Sequence, residues 1–186
     1  MSVLSGPADP QVVDPDIYRR LAADLSANGG TVVADLSGPY LEAVLDGGVS
    51  VLKVSHEELL DDGLAKDDSV EALRDAGRRC QERGARTVLI SRAGSPRWRC
   101  RRTASRCWCA PPLELADHRG AGDSMTAGVA AVLARGGDMR EALHVGAAAG
   151  ALNVTRHGLG TGRAEAVREL AGRVRLTPLD GGDDDD

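Results

Sequence analysis

The sequence predicts an α/β protein in which a parallel sheet is flanked by helices in three layers. It is carried on one partial domain over residues 1–178, and residues 179–186 form an acidic tail. Three observations predict it. Helix-period stretches hand over to short apolar runs three times in succession, which is the order a parallel sheet needs because each crossover takes a helix. A Gly-Ala-Gly-Asp turn at 120–123 opens directly into a long small-residue helix. A chain of 186 residues that is 42% apolar is long enough to bury one core, and with 2% aromatics and no Phe that core is Val, Leu and Ala.

Taken in order, Met1 to Pro7 reads as a strand end running into a turn. Asp14 can cap a helix that has Pro15 at its first position. Ile17, Leu21 and Leu25 then recur every four residues until Asn28-Gly29-Gly30 stops it. Thr31–Leu36 is the next strand, a helix runs from about Pro39 to Leu45, and Gly47-Gly48 closes it before the strand Val49–Val54. A third helix spans Asp67–Arg83 with Val70, Leu73, Ala76 and Cys80 on its inner side, and Thr87–Ile90 is the strand behind it. Later helices are expected through Met125–Leu133, from Asp138 to Leu152 and over 163–173, with Val174–Leu176 as an edge strand.

The chemistry concentrates at Gly120-Ala121-Gly122-Asp123-Ser124. Glycines at a helix start let a phosphate approach backbone amides that the helix dipole already favours for anions. A carboxylate among those amides repels phosphate unless it takes a proton from an attacking hydroxyl, so the residues point to phosphoryl transfer. An aspartate in a first helical turn also suits an ordinary tight connection, and five residues alone do not separate the two readings. With Asp117 ahead of it, the run to Ser124 resembles the D-x-x-G-A-G-D-S signature of the ribokinase-like, or phosphofructokinase-B type, carbohydrate kinases. The resemblance implies that Asp123 is the catalytic base and that Gly120, Ala121, Gly122 and Ser124 form an anion hole. It implies ATP and Mg2+ as cofactors and a sugar or sugar phosphate as substrate, nearest to the 1-phosphofructokinase and tagatose-6-phosphate kinase branch.

The same resemblance extends upstream. Leu4-Ser5-Gly6 and Asp35-Leu36-Ser37-Gly38 are similar to family turns, and Lys53-Val54-Ser55-His56-Glu57-Glu58-Leu59 is similar to K-P-N-x-x-E-L. It implies that Glu58 orders magnesium through water and that Lys53 and Ser55 lie at the nucleotide. Ser91 and Gly94 keep part of an S-x-G-x-x-G pattern, and Asn153 and Gly158 fall in a late segment placed near the adenine. From the residues alone, Ser55-x-x-Glu58 is equally a capping box, and an Ala-rich helix closed by Gly158 is equally core with a glycine cap. Arg119 could pair a substrate phosphate or reach solvent. His56 has no second His or Cys at metal-ligand spacing and reads as a surface residue.

Residues 95–109 interrupt the pattern. Five Arg, three of the four Cys and both Trp fall there. Cys100, Cys107 and Cys109 lack paired C-x-x-C spacing for zinc, and a basic aromatic nucleic-acid patch is the second reading. The favoured reading is compositional: GC-rich codons for these residues, shifted by one base, yield E-P-A-L-A-L-P-P-D-G-E-P-V-L-V, an apolar hairpin with a Pro-Asp-Gly turn. Two compensating frame changes would bracket the stretch, and the resulting arginines and cysteines are expected to pair poorly in a sheet.

The formal charge of −5 argues against a general nucleic-acid binder. No apolar run spans a membrane and no secretion signal opens the chain, so a cytoplasmic location is expected, with a homodimer as the candidate assembly. The resemblance covers residues 4 to about 162 and implies the C-terminal, nucleotide-side part of a kinase, truncated at its N-terminus and without the lid sheet. Loss of transfer activity, leaving a nucleotide-binding remnant or an unstable fragment, is the alternative.

Overall fold

The computed structural model describes residues 1–7, 12–92, 97–101, 105–109, 120–155, 160 and 162–178. The chain divides into two compact units, one built on residues 1–94 and 98–106 and the other on residues 107–177.

The first unit runs β1 (Ser2–Ser5), α1 (Pro15–Ala27), β2 (Val32–Asp35), α2 (Gly38–Gly47), β3 (Val49–Ser55), α3 (His56–Asp61), α4 (Val70–Glu82), β4 (Ala85–Ser91) and β5 (Arg97–Arg101). Strands β1 to β4 pair in sequence order and parallel, as the alternation predicts. Their carboxyl ends therefore lie along one edge of the sheet, where ligands of parallel sheets bind. Asp14 caps α1 by accepting from the Asp16 amide at 2.9 Å, and Ser69 caps α4 by accepting from Ala72 at 3.2 Å. Inward side chains of the strands, among them Ala34, Leu52, Val88 and Ile90, form one cluster with Leu41, Val44, Leu73, Ala76 and Cys80. Each such leucine contributes about 1.5–3 kcal/mol by leaving water. Both tyrosines tie helices to earlier backbone: Tyr18 donates to the Ser5 carbonyl at the end of β1, Tyr40 to that of Val13 before α1, and their rings meet edge-on at 5.2 Å.

Three expectations change. The four-residue recurrence of Ile17 and Leu21 marks α1 but does not face the core: the helix buries Ala22 fully and Tyr18 and Leu25 partly, leaving Ile17 and Leu21 outside. Val70 sits at the first position of α4 and is exposed, while Leu73, Ala76 and Cys80 are buried as expected. The segment over 95–109, expected to pair poorly, contains β5 and β6 (Ser105–Cys109), and β5 lies antiparallel on β4 from Thr87↔Arg101 to Ile90↔Trp98. A ladder is made by backbone groups, which any non-proline residue supplies, and Trp favours strands.

In the second unit, α5 (Ala121–Ala134), α6 (Met139–Asn153), α7 (Ala164–Ala171) and β7 (Arg175–Pro178) follow. Asp138 caps α6 through the Glu141 amide at 2.7 Å. Glycines let α5 and α6 approach backbone to backbone, since a Cβ on Gly128 would lie 2.9 Å from the Gly146 Cα.

Candidate functional site

In the second unit the feature is the start of α5. Gly120 is its N-cap at φ 71, a left-handed conformation that favours glycine, and no side chain caps the helix there. The first three amides of a helix have no intrahelical acceptor, so those of Ala121, Gly122 and Asp123 are the ones such a turn can offer an anion. The Ser124 amide closes the turn on the Gly120 carbonyl at 2.9 Å, which takes it out of the expected anion hole. Asp123 stands in this first turn with its side chain exposed. From α6, Gly150 backs the turn: a Cβ there would lie 2.9 Å from the Ala121 carbonyl oxygen and 3.3 Å from the Met125 Cβ.

Asn153, at the end of α6, is 2% exposed and accepts from the Gly160 amide at 3.3 Å. It shares with Ser124, Gly128, His144 and Val167 the wall of a cavity of about 1000 Å³. Arg119, Gly94 and Gly158 lie outside the described residues.

In the first unit the expected site residues gather at the carboxyl ends of the strands. Lys53, near the end of β3, donates to the Asp35 carboxylate on β2 at 2.9 Å, with side chains only 7% and 9% exposed. Ser55 and Ser91 end β3 and β4 in register with each other. Ser55 and Glu58 form a reciprocal capping box: the Glu58 amide donates to the Ser55 hydroxyl at 3.1 Å, and the Ser55 amide to Glu58 Oε2 at 2.7 Å. One carboxylate oxygen of Glu58 is thus held by backbone. Asp62, at the far end of α3, accepts from the Gly38 amide at 2.7 Å and ties the turn after β2 to that helix.

Asp35 and Asp62 are the residues that sequence reasoning missed as parts of this corner. Asp35 had a signal in Asp-Leu-Ser-Gly; Asp62 had none, because its partner is 24 residues away. His56 is half-buried rather than a surface residue, and its Nδ1 is buried with no hydrogen-bond partner among the described residues. No cluster of three metal-ligating side chains occurs among the described residues. Magnesium normally keeps several waters and takes one or two carboxylates plus phosphate oxygens, so a single glutamate with one oxygen left over fits a water-mediated role.

Three comparisons bear on this arrangement. The family model for pfkB family carbohydrate kinase matches residues 1–166. A 1-phosphofructokinase of Bacillus subtilis (strain 168) is 29% identical over 177 residues, which are 95% of this chain and 57% of that protein. Phosphofructokinase-2 from Escherichia coli, solved in complex with potassium, superposes with a TM-score of 0.82 at 22% identity, over 92% of this chain and 56% of that one. Arabidopsis thaliana ribokinase, complexed with ribose and ATP, gives 0.78 at 22%, over 91% and 55%. The structural likenesses establish a ribokinase-like fold, and the chain spans little more than half the length of each relative.

Proposed function

The chain belongs to the pfkB family of carbohydrate kinases, and from that premise we propose that it is the nucleotide-side part of an ATP-dependent kinase acting on a sugar or sugar-phosphate hydroxyl. The observation that carries the reading is Asp123 in the first turn of α5, beside amides that helix geometry leaves open, behind a left-handed Gly120. Asp123 takes the proton from the attacking hydroxyl as the hydroxyl oxygen bonds to the γ-phosphorus of ATP, and the bond from that phosphorus to the β,γ-bridging oxygen breaks so that ADP leaves. The amides of Ala121, Gly122 and Asp123 hold the charge spread over the transferred phosphoryl oxygens, and they need no reorganisation because the helix already orients them.

ATP supplies the phosphoryl group, and Mg2+ when bound neutralises charge on its phosphate oxygens. Glu58 would hold water of that ion with the oxygen its cap leaves over, and the family resemblance assigns Lys53, Ser55, Ser91 and Gly94 to the nucleotide. By the same resemblance Asn153 and Gly158 would serve the base, and Arg119 would be available to a substrate phosphate. A 1-phosphofructokinase-like substrate is favoured by the Bacillus subtilis relative, which carries that activity in its name.

Because the chain spans little more than half of its relatives, a second reading is a nucleotide-binding remnant without transfer. Thermal unfolding with and without MgATP tests binding, since a ligand specific to the native state raises the transition temperature. Sugar-phosphate turnover then separates the readings: Asp123→Asn should keep the MgATP shift and lower kcat by about 10²–10⁴-fold. No shift with the parent chain overturns the nucleotide assignment; a shift without turnover in any sugar or sugar phosphate leaves the second reading standing.

A further inference from the structure

We propose that the basic part of the cavity between α5, α6 and α7 is a second binding site. Its ligand is an organic anion that carries a phosphate or carboxylate head on an apolar body. The kinase reading enters only in giving the Ser124 and Asn153 end of the cavity to the nucleotide.

The cavity lies wholly within the second unit and holds about 1000 Å³, the upper end of what one small ligand fills. His144 stands on α6 well away from its Asn153 end, about 13 Å at the rise of a helix. It holds α7 to α6: its Nδ1 lies 3.0 Å from the Ala171 carbonyl, and a carbonyl only accepts, so Nδ1 carries a proton. The other nitrogen, Nε2, is left for a ligand and donates to an anion when the ring is protonated.

Helices α6 and α7 run antiparallel, since Asn153 at the end of α6 meets Gly160 ahead of α7, and His144 meets Ala171 at the end of α7. Arg140 therefore lies one turn to one side of His144, and Arg168 one turn to the other. Both line the cavity, and neither has an ion pair among the described residues. The two acids of the lining are engaged: Asp138 accepts from the Glu141 amide at 2.7 Å, and Glu141 Oε1 holds Arg135 at 2.6 Å. Positive charge is what remains, and a guanidinium pairs best with a phosphate or carboxylate. Between these groups the wall is apolar: Ala131 on α5, Val145 and Ala149 on α6, and Val167 on α7. A bare inorganic anion would leave that wall wet and an uncharged chain would leave the arginines unpaired, so the lining fits a ligand that has both parts.

The test titrates the full chain, without nucleotide, with octyl phosphate and octanoate, each against inorganic phosphate and octanol. Either amphiphilic anion should bind one to one by calorimetry and raise the transition temperature. Affinity should grow about fourfold per added methylene from butyl to octyl, and hydrogen exchange should show new protection along Met139–Val145 and Ala164–Ala171. Arg140→Glu with Arg168→Glu, both exposed positions, should weaken binding about 100-fold or more while leaving the MgATP response unchanged. Inorganic phosphate or octanol binding as tightly as the octyl anions overturns the proposal. So does undiminished affinity in a double variant that melts like the parent, or displacement of the anion by MgATP, which would make this the nucleotide's own site. Because the anion is titrated without nucleotide, a chain that gives no MgATP response can still bind it, and the two readings fail separately.

Discussion

Lys53 shows how one residue can carry two readings. By resemblance it belongs at the nucleotide, yet its ammonium is nearly buried on the Asp35 carboxylate. Removing one partner from a buried pair costs about 3–5 kcal/mol, whereas replacing both with apolar groups of similar size is often neutral. Lys53→Met should therefore lower the urea midpoint strongly, and Lys53→Met with Asp35→Leu should regain most of it. The double variant also decides the role: a MgATP thermal shift equal to the parent's assigns Lys53 to holding β2 against β3, and loss of the shift in a restored fold assigns it to the phosphates. At this scale the sequence showed Ser55 and Glu58 as a capping box because both partners lie within four residues. The Asp35 contact was hidden because it joins neighbouring strands 18 residues apart.

At the scale of elements, caps and alternation made α1, α2, α4 and β2 to β4 readable, since each signal is local, while the short α3 showed only through its capping box. What periodicity could not decide was which side of α1 faces inward: Ile17 and Leu21 are the larger side chains, but Ala22 is the one that fits beneath its neighbours. The α5–α6 pair was readable for the opposite reason, because its many small residues permit only close packing. Gly150 is where that packing meets the candidate chemistry, a Cβ there lying 2.9 Å from the Ala121 carbonyl oxygen. Gly150→Val should destabilise the fold by about 1–3 kcal/mol, the usual cost of overpacking, and Gly150→Ala less. Because the clash falls on the first turn of α5, the MgATP shift should shrink further than the loss of stability alone explains. Thermal scans of the two variants with and without nucleotide check this, and an undiminished shift in Gly150→Val would separate α6 from the site.

At the scale of the whole molecule, the fold was legible because alternation, length and the signature agree, and consistency between levels is what makes a sequence foldable. Residues 95–109 are where the levels disagree. Their Arg, Cys and Trp content gives no alternating pattern, yet β5 ends at Arg101 and β6 begins at Ser105. In the shifted reading, E-P-A-L-A-L-P-P-D-G-E-P-V-L-V, the Pro-Asp-Gly turn falls on positions 102–104, between those two strands. Leucines fall at 98 and 100, in register with Ile90 and Val88, both fully buried. We propose that this string is the one the fold is built for. Substituting it for residues 95–109 should raise the transition temperature by about 4 °C or more, since even 1 kcal/mol shifts a domain of this size by about 2–4 °C and several arginines leave the sheet. Sequencing the gene checks the cause: GC-rich codons that give the string when shifted by one base, bracketed by two compensating changes, are expected. Codons that cannot yield it, together with a substituted chain no more stable than the parent, would make the arginine-rich hairpin a native feature of this protein.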